Sequence, residues 1–373
     1  MKVLQVLPAL DSGGVEKGTL ELGRALVQKG HESHVISAGG RLVTRLQKQG
    51  STHHAWKLGP KSPLTLRHVP SLRRWLAGQN FDVMHLRSRM PGWICWLAWR
   101  GMDEATRPRL VTTVHGMHSV SRYSEIVTCG ERVIVVSEAI RDYVLNNYPR
   151  CNPDKLRLIY RGINPLEFPR NHQPAEGWLS DWYREFPNLL DKRVLTLAGR
   201  LTRLKGHLDF IQLIDKLHSQ GQAVHGLIVG GEDPKRMAYA AEVYSAVDKA
   251  GLGEHISFAG HRNDLRDIYA VSDVVLSLSN QPESFGRTVL EPLSLGRPVV
   301  GYDHGGVAEI LKALYPNGAV PVRDIDATAD RVRAILAGQF APPRANREFI
   351  LDTMTQQTIE VYHELISTAR VPR

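Results

Sequence analysis

The chain alternates between two kinds of segment. Short runs rich in Val, Ile and Leu predict buried β-strands, and longer stretches with apolar residues at helical spacing predict amphipathic helices. The predicted strands of the first half are 3–7, 33–37, 83–86, 110–114, 133–136 and 156–159. The predicted helices between them include 15–29 and 137–147. This alternation predicts βαβ units and a parallel sheet with both faces covered.

The same pattern begins again after residue 165. The predicted strands of the second half are 194–198, 226–229, 256–259, 274–278, 298–301 and 319–322. Helices are predicted at 206–220 and 236–250, and 165–191 is predicted to be a linker with an early excursion of the second domain. We therefore expect an α/β protein of two doubly wound, Rossmann-like domains, 1–165 and 166–345, that face each other across a cleft. Ligands of such sheets bind outside the carboxyl ends of the strands.

The C-terminal segment 346–373 contains one long helical pattern, over 346–369. The pattern alone allows this helix to pack on the second domain or to cross back to the first.

Composition narrows the class of protein. A chain of 373 residues that is 42% hydrophobic and 23% charged is typical of a two-domain soluble protein. Its longest apolar run, 93–99, is far shorter than the roughly 20 residues of a membrane-spanning helix. No signal peptide is predicted, because the N-terminus lacks a long apolar segment and a small-residue cleavage site. No disulfide framework or structural zinc site is predicted, because the chain has 3 Cys and no Cys/His cluster. We expect a cytoplasmic protein.

Charge is unevenly distributed. Residues 1–165 contain 24 Lys and Arg against 12 Asp and Glu, whereas residues 166–373 contain 23 against 26. The excess predicts an anionic partner for the first half, which could be phospholipid headgroups, an acidic substrate or nucleic acid. Solubility is the alternative explanation.

A candidate anion site follows the first strand of the second half. The strand ends at Gly199, the cations Arg200 and Lys205 follow, and a helix begins near Gly206. Cations beside a helix N-terminus attract anions because the free N–H groups and the helix dipole add to their charge. A diphosphate fits this pattern, and a solvated basic loop is the alternative.

A second candidate lies between Glu283 and Glu291. Glu283 is in a polar loop after the strand 274–278, and Phe285-Gly286 is predicted to open the helix that carries Glu291, about two turns on. The two carboxylates can hold sugar and ribose hydroxyls, and the amides between them can hold phosphate oxygens. The alternative is that Glu291 is a surface charge.

In the first half, Gly13 and Gly14 follow the first strand and would let a ligand approach the backbone closely. The sequence is not GxGxxG, so no NAD site is predicted. His115-Gly116 ends another strand at the same edge, where His115 is either a ligand contact or structural. In Asp324-Ile325-Asp326, Asp326 is interpreted as a helix N-cap rather than as a metal ligand.

Two basic stretches contain many apolar residues, including tryptophan. The amphipathic stretch 64–76 suits a membrane interface, with core packing as the alternative. For 87–100 we expect core packing with a basic entrance, to which Arg87 contributes.

In this order and spacing, the motifs resemble the family 4 retaining glycosyltransferases of the GT-B fold over nearly the whole chain. The motifs are Gly13-Gly14, His115-Gly116, Val136-Ser137-Glu138, Gly199-Arg200, Lys205-Gly206, Val229-Gly230, Phe258-Ala259-Gly260, Ser272-Asp273, Glu283 with Glu291, Gly296-Arg297-Pro298-Val299-Val300, and Gly305-Gly306 with Glu309. The stretch 111–115, with Arg122-Tyr123-Ser124 and 133–138, looks most like bacterial lipopolysaccharide-core sugar transferases. The family often has Asn-Gly-Val-Asp where this chain has Arg161-Gly162-Ile163-Asn164.

The resemblance implies a nucleotide-sugar donor, held mainly by the second domain, and neither a metal nor a cofactor. The implied catalytic residues are Glu283, His115, Lys205 and Arg200; the implied donor-binding residues are Gly13, Gly14, Arg200, Lys205, His261, Glu283, Ser284, Phe285, Gly286, Thr288 and Glu291. Arg200 and Lys205 would neutralise the diphosphate, Glu291 would bind the ribose, and the 261–264 loop would bind the base. The resemblance also implies front-face transfer with retention at the anomeric carbon, and a C-terminal helix that crosses back to the first domain.

Acceptor-side candidates are Arg161, Arg122 and Arg87. The expected reaction moves a hexose from UDP-glucose, or next from GDP-mannose, to a lipid-linked anionic oligosaccharide of the lipopolysaccharide core. The enzyme would lie at the cytoplasmic face of the inner membrane, in peripheral contact with anionic lipid. One alternative is a nucleotide-sugar 2-epimerase of the same fold. A basic nucleic-acid or membrane-surface binding protein is another, but no nucleic-acid motif supports it, so no nucleic-acid partner is expected.

Overall fold

A computed structural model describes residues 1–11, 13–233 and 236–368. Ser12 of the first glycine loop and Ala369 of the predicted C-terminal helix lie outside the described residues. The chain forms two compact units, one from Met1–Gly162 and the C-terminal segment that begins at Leu351, the other from Ile163–Ile350.

In the described part of the chain, the first unit contains a seven-stranded parallel sheet in the order β3-β2-β1-β4-β5-β6-β7. The strands are β1 (Lys2–Val6), β2 (Glu32–Ser37), β3 (Thr52–Ala55), β4 (Val83–Leu86), β5 (Arg109–Val114), β6 (Arg132–Val135) and β7 (Leu156–Leu158). The helices before residue 163 are α1 (Gly14–Gln28), α2 (Val43–Lys48), α3 (His68–Ala77), α4 (Arg89–Arg100) and α5 (Glu138–Asn147). The sequence pattern did not predict β3, because this edge strand reads Thr-His-His-Ala and is only partly buried.

The basic stretch 64–76 is not one helix. A 3₁₀ turn at Pro63–Arg67 precedes α3, and Pro70 lies in the first turn of α3. A helix continued from residue 64 would need the amide N–H that Pro70 lacks, so the α-helix begins at His68. In α4, by contrast, Ile94, Cys95 and Trp99 are buried, as core packing predicted.

The second unit contains, among its described residues, a six-stranded parallel sheet in the order β10-β9-β8-β11-β12-β13. The strands are β8 (Arg193–Ala198), β9 (Val224–Val229), β10 (Ile256–Gly260), β11 (Val274–Ser277), β12 (Val299–Tyr302) and β13 (Ala319–Val320). The helices are α6 (Glu176–Glu185), α7 (His207–Ser219), α8 (Met237–Lys249), α9 (Leu265–Ala270), α10 (Arg287–Leu295), α11 (Gly305–Leu314) and α12 (Ile325–Leu336).

The early excursion predicted within 165–191 contains α6, whose Trp182 is buried against Phe186 and Trp178. One prediction about the second unit was wrong. Asp326 is not the N-cap of α12: the Asp324 carboxylate accepts a hydrogen bond from the Ala327 amide at 2.8 Å, and Asp326 pairs with Lys216 in the first turn. The helix therefore begins two residues earlier than predicted.

The last described helix, α13 (Leu351–Ser367), belongs to the first unit. The helix begins at Leu351 rather than at the predicted residue 346. The Asn346 side chain instead stabilises the preceding loop, because its Oδ1 accepts a hydrogen bond from the Phe349 amide at 2.9 Å. Ile359 and Tyr362 of α13 pack in one apolar cluster with Val3 and Val111 of the sheet. This return to the first unit agrees with the GT-B expectation. Among the described residues, no helix is long and apolar enough to span a lipid bilayer.

Candidate active site

The order of strands reverses once in each sheet, between β1 and β4 and between β8 and β11. At such a point the connections run to opposite sides and leave a crevice at the carboxyl ends of the two strands. In the first unit, Gly13 and Gly14 follow β1, and Arg87 follows β4 directly. In the second unit, the 199–206 loop follows β8 and the 278–286 loop follows β11. Several of the sequence-predicted residues thus follow the strands at these two points, each within its own unit.

In the second unit, the structure brings Lys205 and Glu283 into direct contact. The Lys205 Nζ donates a hydrogen bond to Glu283 Oε1 at 2.8 Å, and both side chains are mostly buried, at 21% and 15% exposed. The residues are 78 positions apart and come from the loops after β8 and β11. This ion pair gives the edge of the sheet one cation and one carboxylate at hydrogen-bond distance from each other.

Glu283 accepts further hydrogen bonds, both at its carboxylate and at its backbone carbonyl. The Ser279 hydroxyl also donates to Oε1, and the Gly306 amide at the start of α11 donates to the Glu283 carbonyl at 2.9 Å. His304 contacts the Ser279 carbonyl at 2.8 Å. Burial alone raises the pKa of Glu283, but the charge and hydrogen bond of Lys205 and the Ser279 hydroxyl outweigh it, so the pKa lies below its ordinary value. Glu283 is therefore ionised at neutral pH.

The position of Lys205 depends on Gly206. This residue has φ of 72° and caps the N-terminus of α7. A Cβ atom here would lie 1.9 Å from the Leu278 carbonyl oxygen, so any other residue would push the 199–206 loop away from the loop after β11. The close approach of the two loops is what lets the Lys205 side chain reach Glu283.

The start of α10 supplies the other predicted contacts. Phe285 is buried, Gly286 is the N-cap with φ of 113°, and no side chain caps the first amides of this helix. Ser284 and Thr288 beside them are half-buried. Free backbone N–H groups at a helix N-terminus favour an anion.

Glu291 lies one turn into α10, because the helix begins at Arg287. Glu283 and Glu291 are therefore not separated by two turns of continuous helix. Glu291 is 7% exposed, so the alternative that it is a surface charge was wrong. Its Oε1 lies 3.4 Å from the Nε of Arg287.

Arg200 and His261 occupy the same edge but remain exposed. Arg200 follows Gly199, which packs against the Lys205 side chain. His261 follows β10 and lies against Gly231, which follows β9. In the same loop, the Arg262 guanidinium forms ion pairs with Asp264 and Glu185, and these contacts restrain the segment.

In the first unit, His115 meets Arg161. The Arg161 Nη2 donates to His115 Nδ1 at 2.5 Å, and a guanidinium can only donate. Burial, followed by the positive charge of Arg161, lowers the pKa of His115 well below its ordinary value. The imidazole is thus neutral with its proton on Nε2, which makes Nε2 a donor.

A second neutral histidine lies behind this pair. His85 contacts the Tyr362 hydroxyl through Nδ1 and the Thr113 hydroxyl through Nε2, both at 2.6 Å. Burial lowers the pKa of His85 well below its ordinary value. Since Tyr362 belongs to α13, this chain of hydrogen bonds joins the C-terminal helix to the edge of the sheet.

The sequence predicted that Arg87 contributes to an exposed basic entrance, and this prediction was wrong. Arg87 lies before α4 rather than on it, is 5% exposed, and donates through Nη1 to the Gln5 side-chain oxygen at 2.7 Å. Burial lowers its pKa to about 10, although Tyr362, Glu21 and Glu16 act in the other direction. A guanidinium with this pKa remains charged at neutral pH, so the inside of the first unit carries a positive charge.

The remaining predicted residues lie apart. Arg122 is exposed in a loop beside Tyr123, whose ring is covered by Lys61 and Arg89 at 5.2 and 5.4 Å. Gly13 and Gly14 are exposed at the start of α1. Within residues 1–11, 13–233 and 236–368, no three His, Cys, Asp or Glu side chains are grouped to hold a metal ion.

Sequence reasoning missed Ser279, His304 and His85. All three are polar and lie in or just after the carboxyl end of a strand. That position was a usable signal for Ser279 and His304, which follow β11 and β12, but the inward direction of His85 required the fold.

Comparison with known proteins shows the family to which this chain belongs. The family model described as "Glycosyltransferase Family 4" matches residues 12–166. The family model described as "Glycosyl transferases group 1" matches residues 181–349. Together the two matches span most of the chain, which therefore belongs to the glycosyltransferases of these families.

Three individual proteins show how far the similarity extends. N-acetyl-alpha-D-glucosaminyl L-malate synthase of Bacillus anthracis is 23% identical, over 96% of this chain and 95% of its own. A glycosyltransferase from Rickettsia africae ESF-5 superposes with a TM-score of 0.85, at 26% identity and 99% coverage of both chains. HepE of Anabaena, solved with UDP and glucose, has a TM-score of 0.80 at 19% identity, over 98% of this chain and 100% of its own. At that identity HepE supports the GT-B fold.

Proposed function

We propose that this protein is a retaining glycosyltransferase that moves a hexose from a nucleotide-sugar to a lipid-linked anionic acceptor of the lipopolysaccharide-core type. The observation that carries the proposal is the buried Lys205–Glu283 pair between the N-termini of α7 and α10. We favour UDP-glucose as the donor over GDP-mannose, and HepE, which was solved with UDP and glucose, supports that choice.

The chemistry of transfer fits this pair. Cleavage of the sugar–phosphate bond leaves negative charge on the diphosphate and positive charge on the sugar. Lys205 and Arg200 would stabilise the diphosphate, with the first amides of α10, and Glu283 would accept hydrogen bonds from sugar hydroxyls. The pair holds both side chains at the edge of the sheet before the donor arrives. We propose that these residues replace a metal ion, and that Glu291 and the His261 loop bind the ribose and the base.

The acceptor is proposed to be anionic because the first half of the chain has twice as many cationic as acidic residues, 24 against 12. The relative N-acetyl-alpha-D-glucosaminyl L-malate synthase is named for a compound that contains L-malate, a carboxylate, which supports the same class of acceptor. Retention at the anomeric carbon is proposed from the family resemblance.

Membrane contact is proposed for a surface of the first unit, the 61–67 surface, which consists of Lys61, Leu64, Leu66 and Arg67. Leu64 and Leu66 are 71% and 48% exposed, and the two cations flank them. Apolar side chains beside cations bind anionic bilayers by insertion and by charge, with about 1 kcal/mol per cation. We propose on this basis that the enzyme acts at the cytoplasmic face of the inner membrane.

The first experiment is thermal unfolding with UDP, GDP, UDP-glucose, UDP-N-acetylglucosamine, UDP-galactose, GDP-mannose and ADP-heptose, in EDTA. A ligand at 100 times its Kd stabilises a protein by about 2.7 kcal/mol, and we expect UDP and UDP-glucose to do so. Stabilisation that requires added Mg²⁺ would contradict metal independence. A larger shift with GDP-mannose would replace the proposed donor.

Product analysis then separates transfer from epimerisation. Incubation with UDP-glucose and core acceptor should yield a new glycoside with a retained α linkage. An isomerised nucleotide-sugar without a glycoside would instead favour the epimerase. Tight, salt-sensitive binding to DNA or RNA, with no response to nucleotide-sugars, would favour the nucleic-acid alternative.

Co-sedimentation with vesicles tests the 61–67 surface. A double substitution, Leu64→Gln with Leu66→Gln, should lower binding to anionic vesicles. The control Leu190→Gln changes a leucine of the second unit that is 52% exposed. Equal binding by both variants would contradict the proposed contact.

A further inference from the structure

A small cavity of about 20 Å³ lies inside the first unit. Its lining includes Gly18, Arg87, His115 and Arg161, at the carboxyl ends of β4 and β5. A cavity of this size holds about one water-sized group. It is thus large enough for one oxygen atom of a ligand whose remaining atoms lie outside.

Two guanidinium groups converge on α1 at this cavity. A Cβ atom added to Gly18 would lie 2.4 Å from Arg161 Nη1 and 3.1 Å from Arg87 Nη2. Neither group could approach the helix so closely beside a side chain. Gly18 therefore brings the two positive charges together, from segments that are 74 residues apart in sequence.

Polar atoms at the cavity have spare hydrogen-bonding capacity. Among the described residues, neither Arg87 Nε nor His115 Nε2 has a hydrogen-bond partner, and both atoms are buried. Arg87 is 5% exposed, so bulk water does not supply the missing partner. Because Arg161 occupies Nδ1 of His115, both of these atoms are donors. A buried donor without an acceptor destabilises the fold, and a bound oxygen would remove that cost.

We infer that this cavity binds one oxygen of an anionic group, a phosphate monoester or a carboxylate, that the acceptor carries. Guanidinium groups recognise both chemistries because their N–H donors match two oxygens of one anion. The carboxylates of Glu21 and Glu16 on α1 stabilise the positive charge of Arg87. An anionic ligand must therefore compete with these carboxylates for the Arg87 guanidinium. This inference rests on the proposed function, and it goes further by naming the acceptor's binding group and the residues that hold it.

The test titrates the full-length protein with sodium phosphate, methyl phosphate or succinate and follows thermal unfolding. Ionic strength is matched with NaCl, and saturating UDP is present to occupy the nucleotide site. The variants are Arg161→Gln and Gly18→Ala, and the control Arg150→Gln removes an exposed charge of the same unit. Gly18→Ala displaces the guanidinium groups without removing either of them, so it tests the site if Arg161→Gln does not fold.

We expect at least one of the anions to raise the Tm of the wild type and of the control, with at least tenfold weaker apparent binding in both test variants. A response to methyl phosphate but not to succinate identifies a phosphate monoester, and the reverse identifies a carboxylate. Equal responses in all four proteins, or no response in the wild type, would overturn the inference.

A parallel titration with UDP separates the two proposals. If the test variants lose UDP binding, the anion belongs to the donor and the acceptor assignment is wrong. If UDP stabilises none of the proteins, the proposed donor is wrong, while the anion titrations repeated without UDP still test the cavity.

Discussion

The two units place their candidate residues at equivalent points of similar sheets, but they balance charge differently. In the second unit, the Lys205 ammonium meets the Glu283 carboxylate. In the first unit, Arg161 meets a neutral imidazole and Arg87 meets the amide of Gln5. The second unit thus pairs a cation with a carboxylate, whereas these contacts of the first unit join guanidinium groups to neutral side chains, with the Glu16 and Glu21 carboxylates also acting on the charge of Arg87. We expect the two sites to suit different ligand groups, with His85 and His115 of the first unit acting as uncharged donors and acceptors.

The largest expected effect concerns the Lys205–Glu283 pair. Lys205→Ala and Glu283→Ala should each lower the rate of sugar transfer by about 10²–10³, because each removes a preorganised contact to the reacting donor. Steady-state kinetics measure this, and circular dichroism checks the fold. The control Lys249→Ala removes an exposed lysine at the end of α8. Near-normal turnover of Lys205→Ala would contradict its contact with the diphosphate.

The neutral network of the first unit gives the next prediction. Tyr362→Phe should lower the free energy of unfolding by about 1–3 kcal/mol, because it leaves the buried His85 Nδ1 without its partner. Urea denaturation measures the loss. The control Tyr183→Phe changes a half-buried tyrosine of α6 and should have little effect. Equal effects would mean that His85 does not depend on α13.

A pH-dependent prediction concerns the ionic contact that attaches α13 to the sheet. Hydrogen bonds from Arg157 and Arg132, which outweigh partial burial, lower the pKa of Glu364 from 4.5 to about 2. A carboxyl with a lowered folded-state pKa stabilises the fold above its unfolded pKa and loses that contribution as the pH falls. The stability difference between wild type and Glu364→Gln should therefore be full above about pH 4.5 and vanish toward about pH 2.

Denaturation by urea at pH 7, 4 and 2.5 follows that difference. The control is Glu360→Gln, one turn earlier in the same helix. A stability difference that stays constant over this range would show that the arginines do not hold Glu364 in solution.

The smallest expected effect is local to the second unit. Asp324→Ala should cost about 1 kcal/mol of unfolding free energy, because it removes the N-cap of α12. Asp326→Ala should cost less, since it removes only an exposed ion pair with Lys216. Denaturation curves of the two variants compare them directly, and the reverse ranking would favour the cap predicted from sequence.

The alternation of strand and helix was sufficient to predict two parallel α/β units, since buried strands are apolar throughout and are therefore easy to recognise. The half-polar edge strand β3 was not predicted, and the excursion was predicted without its helix α6. Both elements are stabilised by packing rather than marked by a periodic pattern. The cap of α12 was misplaced since Asp324 and Asp326 are both good caps and only backbone geometry separates them.

The sequence predicted which residues stand at the strand ends but not which of them touch. The Lys205–Glu283 contact depends on the order of strands, which periodicity does not give. The burial of Arg87 was missed because a charged residue next to a tryptophan-rich helix suggests a surface. Its real position depends on Gly18, whose role is visible only when the segments are brought together.

The return of α13 to the first unit has a consequence for synthesis on the ribosome. Met354, Ile359 and Leu365 complete an apolar cluster with Val3 and Val83, yet the second unit's residues are translated in between. While 163–350 emerges, the first unit exposes the apolar face that α13 will cover. The second unit, which is continuous in sequence, can close before the first is finished. Nascent chains stalled before residue 351 should therefore be the species that chaperones retain.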